Sequence, residues 1–491
     1  MRNSNIWAYL ALSTVLVLLI ASCQKEKLAI DKSIPQTITR TIAADIAALD
    51  SSSETKSVYE SGVGVHLTNQ EYMSVFYSRN NGDKVIDSLN SHSPKVSYKA
   101  ILAAPDGTGK WTFSHNAVRD LTSYDYSFVL PHSRCNEIPG NKKQVKMRLY
   151  SVQYPTQTSF DPAADILIGK TQFAVDQKTE VSNVTFKRLF APVKLIISDR
   201  ANALEGEKIH AVSFSLSQAP TATAALVGLA YVTFSDDFDS AVITNFGGDA
   251  NYDATGKTRL NNGDKNYANS VTALPANGIE KDGDTYTVWY MMNPLTIASG
   301  TKLTLTVTSD TKTITRTATI PDGYSILKNK INEIKFNISG DGYASQPSAY
   351  CDFSIATSAT LSGLKASDGS EPLSATNSIM VNFESEKSPY PICFRPRENA
   401  VITVTPANGK TLNTIRIYTN PLISMKSAKL SLKVNGTTSS TIDVVYAGAS
   451  KTAGYLDFAV GEYTEGSTIT ITRDDNDCWL SGMTLLYNNS K

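Results

Sequence analysis

Two residues near the start of the chain, Cys23 and Arg40, have the side chains and surroundings for covalent processing. Cys23 follows small residues at the end of an apolar run, which makes it a candidate processing site. Arg40 ends a short run that reads as an extended strand, and its bond to Thr41 is the kind that an arginine-specific protease cuts. Other basic sites, Lys56 among them, would serve such a protease as well.

Residues 1–22 have the organisation of a secretory signal peptide. Arg2 supplies a weak positive charge, and residues 7–20 form an apolar segment that is short for a membrane-spanning helix. The sequence Ile20-Ala21-Ser22-Cys23 resembles a lipobox, although an ordinary signal peptide that happens to contain a cysteine is the alternative. The lipobox resemblance implies a lipoprotein held outside the membrane by its acyl chains alone, and we expect it in the outer membrane at the cell surface.

The composition of the chain favours a folded body of several domains. Its 491 residues suggest two to four domains, and 41% hydrophobic with 19% charged residues argues against wholesale disorder. The 46 basic and 46 acidic residues cancel, so no charge excess is present to attract nucleic acid. The sequence therefore predicts no nucleic-acid partner, and no motif in it implies a cofactor.

Almost every patterned segment alternates with a period of two, which predicts an all-β protein. β-Branched and aromatic residues take alternate places in segments such as 124–130, 146–152 and 302–308. Pro192 interrupts one long apolar stretch and, because proline cannot donate to a strand ladder, predicts a strand break or a domain crossing. Residues 339–348 are rich in Gly, Ser and Pro and predict a linker.

Beyond the predicted linker, residues 349–491 form another block of evenly spaced short strands. Turn signals such as Asn408-Gly409 separate those strands, and the block has the size of one domain. This arrangement predicts an accessory β-sandwich or jelly-roll domain.

Four pieces of the sequence, in their order and spacing, resemble the fimbrillin family, the lipoprotein subunits of type V pili. The pieces are the Cys23 lipobox, Thr37-Ile38-Thr39-Arg40, the middle segments 161–169 and 184–197, and the closing segment 289–338. The resemblance covers about 300 residues of the chain, from about Arg40 to Ile338.

The resemblance implies two tandem transthyretin-like β-sandwiches, which we place at 41–190 and 191–338. It also implies that residues 23–40 are a lipidated leader whose first strand is removable, with an extracellular Arg-specific protease cutting between Arg40 and Thr41. A strand from another pilus subunit then fills the opened groove. The chemistry implied is β-strand exchange and not catalysis.

The additional domain at 349–491 departs from an ordinary stalk subunit, which ends soon after Ile338. We therefore expect a terminal or accessory subunit, such as a tip adhesin, with a host or microbial glycan or protein as ligand. The alternative function is that of a cell-surface glycan-binding lipoprotein built from all-β modules.

The last domain holds the other candidates for ligand binding. An exposed Trp479 would stack on a sugar ring, and Arg395 and Arg397 would line the same face, although a core tryptophan and solvent-exposed arginines are the default alternatives. Asp474, Asp475 and Asp477 offer oxygen ligands for Ca²⁺, but a solvated acidic turn is the simpler explanation. We therefore expect no metal.

Nothing in the sequence indicates an enzyme. The five histidines are scattered, and no nucleophile motif or paired acid stands out. Residues 105–110 superficially resemble a phosphate loop but lead into a strand, so they predict a hairpin turn. One disulfide among Cys351, Cys393 and Cys478 is compatible with export, and its pairing stays open.

Overall fold

The structure, a computed structural model, describes residues 37–46, 72–81, 84–87, 101–116, 123–131, 135–136, 144–174, 181–221, 224–233, 242–246, 267–353, 361, 363–381, 392–419, 428–444, 454–461, 463, 465–473 and 478–489. Apart from short 3-10 turns, at Pro162–Ala164 and at Phe353, every regular element in these ranges is a strand, which confirms the all-β prediction. Within the same ranges, no helix is long and apolar enough to cross a membrane.

The strands are numbered in chain order. The first group is β1 (Thr37–Ile46), β2 (Met73–Asn81), β3 (Lys84–Asp87), β4 (Ile101–Pro105), β5 (Lys110–Asn116), β6 (Ser123–Leu130), β7 (Cys135–Asn136), β8 (Gln144–Leu149), β9 (Val152–Gln153), β10 (Leu167–Ala174) and β11 (Ser182–Arg188). The second group is β12 (Ala191–Ser198), β13 (Ile209–Leu216), β14 (Val227–Thr233), β15 (Val242–Phe246), β16 (Tyr267–Ala268), β17 (Ser270–Ala273), β18 (Thr285–Met292), β19 (Leu295–Ile297), β20 (Lys302–Ser309), β21 (Lys312–Thr319), β22 (Tyr324–Ile326), β23 (Asn332–Asn337) and β24 (Ala344–Asp352). The third group is β25 (Leu373–Val381), β26 (Ile392–Val404), β27 (Leu412–Tyr418), β28 (Ala428–Val434), β29 (Thr437–Val444), β30 (Tyr455–Ala459), β31 (Ile469–Arg473), β32 (Cys478–Leu480) and β33 (Gly482–Tyr487).

The first unit is an eight-stranded sheet in which seven strands form a closed ring and β3 pairs with β2 outside that ring. Its order is β3-β2-β4-β5-β1-β11-β10-β6, and β2 pairs with β6 as well as with β4. Closure of this kind leaves no sheet edge along the ring, so each strand of the ring is held by a neighbour on both sides. The resemblance implies a β-sandwich for this unit, and the pairing of β2 with β6 closes its sheet into a barrel-like form.

The barrel is filled by the inward-facing residues of these strands, and aromatic side chains make up much of the filling. The buried residues are Ile38, Ile42, Met73, Val75, Ala103, Trp111, Phe113, Tyr124, Tyr126, Phe128, Leu130, Leu167, Phe173, Val184 and Phe186. Their alternation with exposed residues explains why the sequence pattern reads so clearly as strands.

The second unit is built around β12, which lies between β18 and β23. The chain passes from the first unit into the second between Arg188 and Ala191, so Pro192 lies at the start of β12, where it pairs with Met291. The boundary is interwoven, because β8 pairs with β14 and β9 pairs with β17. One core joins the two regions, since buried Met147 and Leu149 of β8 belong to the same cluster as Trp289.

The third unit is a sandwich of two sheets. One sheet has the order β25-β26-β31-β28-β29, with β32 beside β26, and the other contains β30, β27 and β33. Both sheets contribute to one core, in which Ile402 and Ile471 of the first meet Ile415, Met483 and Leu485 of the second. The predicted β-sandwich character of this region is thus present.

The second and third units share one continuous sheet through β24. The first half of β24 pairs with β21, from Ala344 to Pro347, and its second half pairs with β33, from Ser348 to Asp352. The nine-stranded sheet therefore runs β30-β27-β33-β24-β21-β20-β13-β17-β9 without interruption. Where the composition of residues 339–348 predicts a linker, the structure places residues from Ala344 onward in a strand.

Side chains from both units fill the joint around β24. Val152, Ala211 and Leu274 of the second unit form one buried cluster with Tyr350 and Tyr418. Two hydrogen bonds and one ring stack cross the same joint. Tyr154 Oη donates to Ser481 Oγ (2.7 Å), and Thr313 Oγ1 donates to Ser348 Oγ (3.0 Å). The His210 ring stacks on Tyr350 with 5.3 Å between the ring centroids.

Candidate functional site

Strand β1 has one buried face and one exposed face. Ile38, Arg40 and Ile42 are buried, while Thr37 and Thr39 are exposed. Strand geometry points alternate side chains to opposite faces, so the three buried residues line the inside of the barrel. Arg40 is only 3% exposed, which places one charged side chain within an otherwise apolar row.

The inner face of β1 lies against aromatic residues of β5. In the antiparallel register, Ile38 is opposite His115, Arg40 is opposite Phe113, and Ile42 is opposite Trp111. Directly opposed residues in such a pair are the closest side-chain neighbours across a sheet. The inward side chains of β1 therefore lie against the aromatic row of β5.

The outer face of the same pair is held by hydroxyl contacts. Thr39 Oγ1 lies 2.8 Å from Ser114 Oγ, and Thr41 Oγ1 lies 2.9 Å from Thr112 Oγ1. These contacts are exposed to water, where a hydrogen bond contributes little net stability. The inner face should therefore dominate the energy that keeps β1 in place.

Arg40 packs its guanidinium against a phenylalanine. Its Cζ atom lies 5.0 Å from the centre of the Phe173 ring, and that ring meets Tyr126 edge to face. Tyr126 in turn contacts Phe113, and its hydroxyl lies 2.7 Å from His115 Nε2. A cation over an aromatic face is stabilised by about 0.5–2 kcal/mol, more when water is excluded.

The two halves of β1 have different partners. Pairing with β5 begins at Thr37, and parallel pairing with β11 begins only at Ile42 and continues to Ile46. The bond between Arg40 and Thr41 lies just before the point where the second partner begins. The half after this bond is the one that joins β5 to β11 and closes the barrel.

The predicted leader, residues 23–40, ends in the interior of strand β1 and not at the end of that strand. The strand continues beyond Arg40 because the alternation of inward residues continues through Ile42 and Ala44. Cleavage at Arg40 stays a prediction, and the structure adds that the side chain is buried and the backbone is paired in the folded form. Cys23 and the rest of the signal segment lie outside the described residues.

The predicted ligand residues of the third unit lie on neighbouring strands. Trp479 in β32 pairs with Cys393 of β26, and Arg395 of β26 pairs with Ile379 of β25. Arg397 belongs to the same strand, β26. The backbone thus brings these positions to one region of the sheet.

The remaining predictions for the third unit concern acidic residues and cysteines. Asp474, Asp475 and Asp477 fall outside the described residues. In the part of the chain that is described, no group of three or more His, Cys, Asp or Glu side chains is placed to hold a metal ion. Cys351 is a free, buried thiol, and this burial, reinforced by Asp368, raises its pKa well above the ordinary value.

The packing of the Arg40 guanidinium against Phe173 is not predictable from the sequence. Phe173 lies far from Arg40 along the chain, in β10, and the two come together because β1 and β10 both pair with β11. A signal that does exist in the sequence is the row of large residues at Tyr124, Tyr126 and Phe128, which indicates a crowded aromatic face.

Comparisons with known proteins give only remote likenesses. No family model and no curated protein matches the chain. A proposed cell adhesion protein from Bacteroides ovatus has a TM-score of 0.34 at 10% identity, covering 64% of this chain and 96% of that one. A fimbrial assembly protein from Parabacteroides distasonis has a TM-score of 0.25 at 11% identity, covering 63% and 96%. The CBM36-1 domain of a multidomain xylanase from the hindgut metagenome of Trinervitermes trinervoides has a TM-score of 0.19 at 10% identity, covering 29% and 98%.

Proposed function

We propose that this protein is a subunit of a cell-surface fibre that assembles by β-strand exchange, and that it acts as a terminal or accessory subunit, such as a tip adhesin. The observation that carries the proposal is the position of Arg40 in β1. A cut after Arg40 would separate residues that only plug the barrel from residues that close it. The resemblance of the sequence to fimbrillins supports the same reading.

The first step of the proposed mechanism is loss of the residues before Thr41. Their departure withdraws Ile38 and Arg40 from the aromatic row of β5 and uncovers the backbone edge of that strand from Phe113 to Asn116. An uncovered edge beside an apolar surface has to be covered again. An extended strand from another subunit would do so through main-chain hydrogen bonds, with its alternate side chains entering the vacated sites.

The terminal position in the fibre is supported by the joint at β24. β33 is buried along its whole length and lies between β27 and β24. β24 follows the second unit directly and is paired on both sides of the joint. Neither strand can be given to a neighbouring subunit without opening the shared sheet, so we expect the third-unit end to carry a ligand and not a donor strand.

The proposal is tested by separating the two roles of Arg40. Arg40→Lys keeps a cation that can lie over Phe173 but removes the arginine that the protease requires, whereas Arg40→Ala removes both. We expect both variants to stay uncut and to be absent from purified fibres, while Thr39→Ala, an outward-facing control, is cut to a Thr41 N-terminus and incorporated. Incorporation of Arg40→Lys at the wild-type level would contradict the proposal.

The position in the fibre needs its own experiment. Antibody against the third unit, coupled to gold, should label fibre ends in electron micrographs. Labelling along the whole shaft would rule out a terminal subunit while leaving strand exchange intact.

A further inference from the structure

The predicted cleavage sequence occurs twice in the chain. Thr-Ile-Thr-Arg-Thr is found at 37–41, in β1, and again at 313–317, in β21. Its first four residues occur a third time at 470–473, in β31, where Asp474 follows. Even a protease that reads the three residues before the arginine and one after it cannot distinguish the first two sites by sequence.

The two copies also resemble each other in local structure. Both form strands, both bury the isoleucine, and both place the arginine over a phenylalanine ring. The Arg316 Cζ atom lies 5.5 Å from the centre of the Phe336 ring, compared with 5.0 Å for Arg40 and Phe173. Exposure of the arginine alone would favour a cut at Arg316, which is half-buried, over Arg40, which is buried.

The backbone of the second copy is held on two sides. Thr313 to Thr315 pair with β20 on one edge and with β24 on the other. Proteases bind their substrates as an added strand, so a segment with both edges occupied cannot enter an active site. Opening this segment would break the joint between the second and third units.

The side chain of Arg316 is held as well. It donates hydrogen bonds to the backbone oxygens of Asn337 and Asp341, the latter at 3.3 Å from Nε. Gly340 passes so close that a Cβ atom there would lie 2.5 Å from Arg316 Cζ. The loop from Asn337 to Asp341 therefore closes over the guanidinium.

The first copy is placed where a strand can open locally. Among the described residues, Thr37 to Thr41 pair with β5 alone, so this half of β1 can peel away from a single partner strand. The residues from Ile42 to Ile46 can meanwhile stay in the barrel with β11. Opening of a strand from its end costs less than opening a segment that is fixed in the middle of a sheet.

We propose that Arg316–Thr317 is a latent second cleavage site for the arginine-specific protease that cuts Arg40–Thr41, and that the fold decides which of the two is cut. This inference rests on the proposed function. Hydrolysis at Arg316 would add one water across the bond, leaving a carboxylate on Arg316 and an amine on Thr317. A folded subunit is then cut once and matured, while a subunit with an open second unit is also cut there and destroyed.

The test uses the full chain with Cys23→Ser, an arginine-specific endoprotease, and mass spectrometry of the new N-termini over time. Gly340→Ala pushes a methyl group into the Arg316 guanidinium and should release it. Gly342→Ala is a control in the same loop, because no atom lies within 4 Å of its Cβ position; its φ of +78° adds backbone strain but no contact with the guanidinium.

We expect the native chain to be cut at Arg40 at least about 100-fold faster than at Arg316, as opening equilibria control cleavage of folded proteins. In urea that unfolds the chain, the two rates should become comparable, and Gly340→Ala but not Gly342→Ala should raise cutting at Arg316. Comparable rates in the native chain would overturn the latent site and leave the proposed function standing. Failure to cut Arg40 in the native chain would contradict the proposed function itself.

Discussion

The guanidinium carbon of Arg40 lies 5.0 Å from the centre of the Phe173 ring, inside the barrel of the first unit. The residue that a protease would have to recognise is thus also a residue that fills the core. Recognition and burial compete for the same side chain, so the proposed cut would require β1 to open first. The stability of the inner face of β1 should therefore set the rate of maturation.

Replacing Phe173 with leucine should accelerate the cut at Arg40. The variant keeps an apolar side chain but loses the aromatic face, a loss of about 1 kcal/mol that corresponds to a roughly fivefold faster cut. The measurement is the appearance of the Thr41 N-terminus under native conditions. Phe336→Leu, which alters the equivalent contact of Arg316, is the control and should leave the rate at Arg40 unchanged.

Two neighbouring substitutions on β1 should have very different effects on stability. Ile38→Ala removes a buried side chain and should lower the free energy of unfolding of the first unit by about 2–5 kcal/mol. Thr39→Ala removes only the exposed contact with Ser114 and should cost less than about 1 kcal/mol. Urea titrations of both variants give the comparison, and equal losses would show that the inner face does not hold β1.

The joint between the second and third units should depend on Gly454. This residue has a φ of +72°, and a Cβ atom there would lie 2.8 Å from Val152 Cγ2. Gly454→Ala should cost about 1–3 kcal/mol from overpacking in addition to about 1–2 kcal/mol from backbone strain. Gly409→Ala, with a φ of +75° and open space around its Cβ position, should show the strain alone in differential scanning calorimetry. A smaller effect at Gly454 than at Gly409 would mean that the joint is not tightly packed.

Stability in alkaline solution should carry a contribution from Cys351. Burial raises the pKa of this thiol above its ordinary value of 9.0, so the folded state retains a proton that the unfolded state releases. The resulting stability is complete below about pH 9 and falls as the pH rises toward the folded pKa. Between pH 8 and 11, the free energy of unfolding should decline more steeply for the wild type than for Cys351→Val. Parallel curves would show that the thiol does not contribute to the pH dependence of stability.

Period-two patterning predicts many of the strands in all three units, although it does not mark β2 or β24. Tyr124, Tyr126 and Phe128 alternate with smaller residues because one face of β6 is core, and that local rule survives in the structure. Likewise, Pro192 lies beside the crossing from the first unit to the second, where the loss of a backbone donor is tolerated.

Long-range pairing was beyond the same reasoning. The closure of β2 onto β6 joins segments far apart in the chain, and no local pattern encodes it. Residues 344–348 have the composition of a linker because their partners, and not their own side chains, hold them extended. Composition describes a segment alone, whereas a strand of small polar residues is stabilised by its neighbours.

A strand that belongs to two sheets also limits how this molecule could be rearranged over time. Because β24 pairs with β21 in its first half and with β33 in its second, it has no point where the third unit can be detached as an independent module. Recombination that exchanged this unit between related chains would need to carry β24 and to match the surface formed by Val152, Ala211 and Leu274. The third unit should therefore be inherited together with the second, and diversify through substitutions on its exposed face.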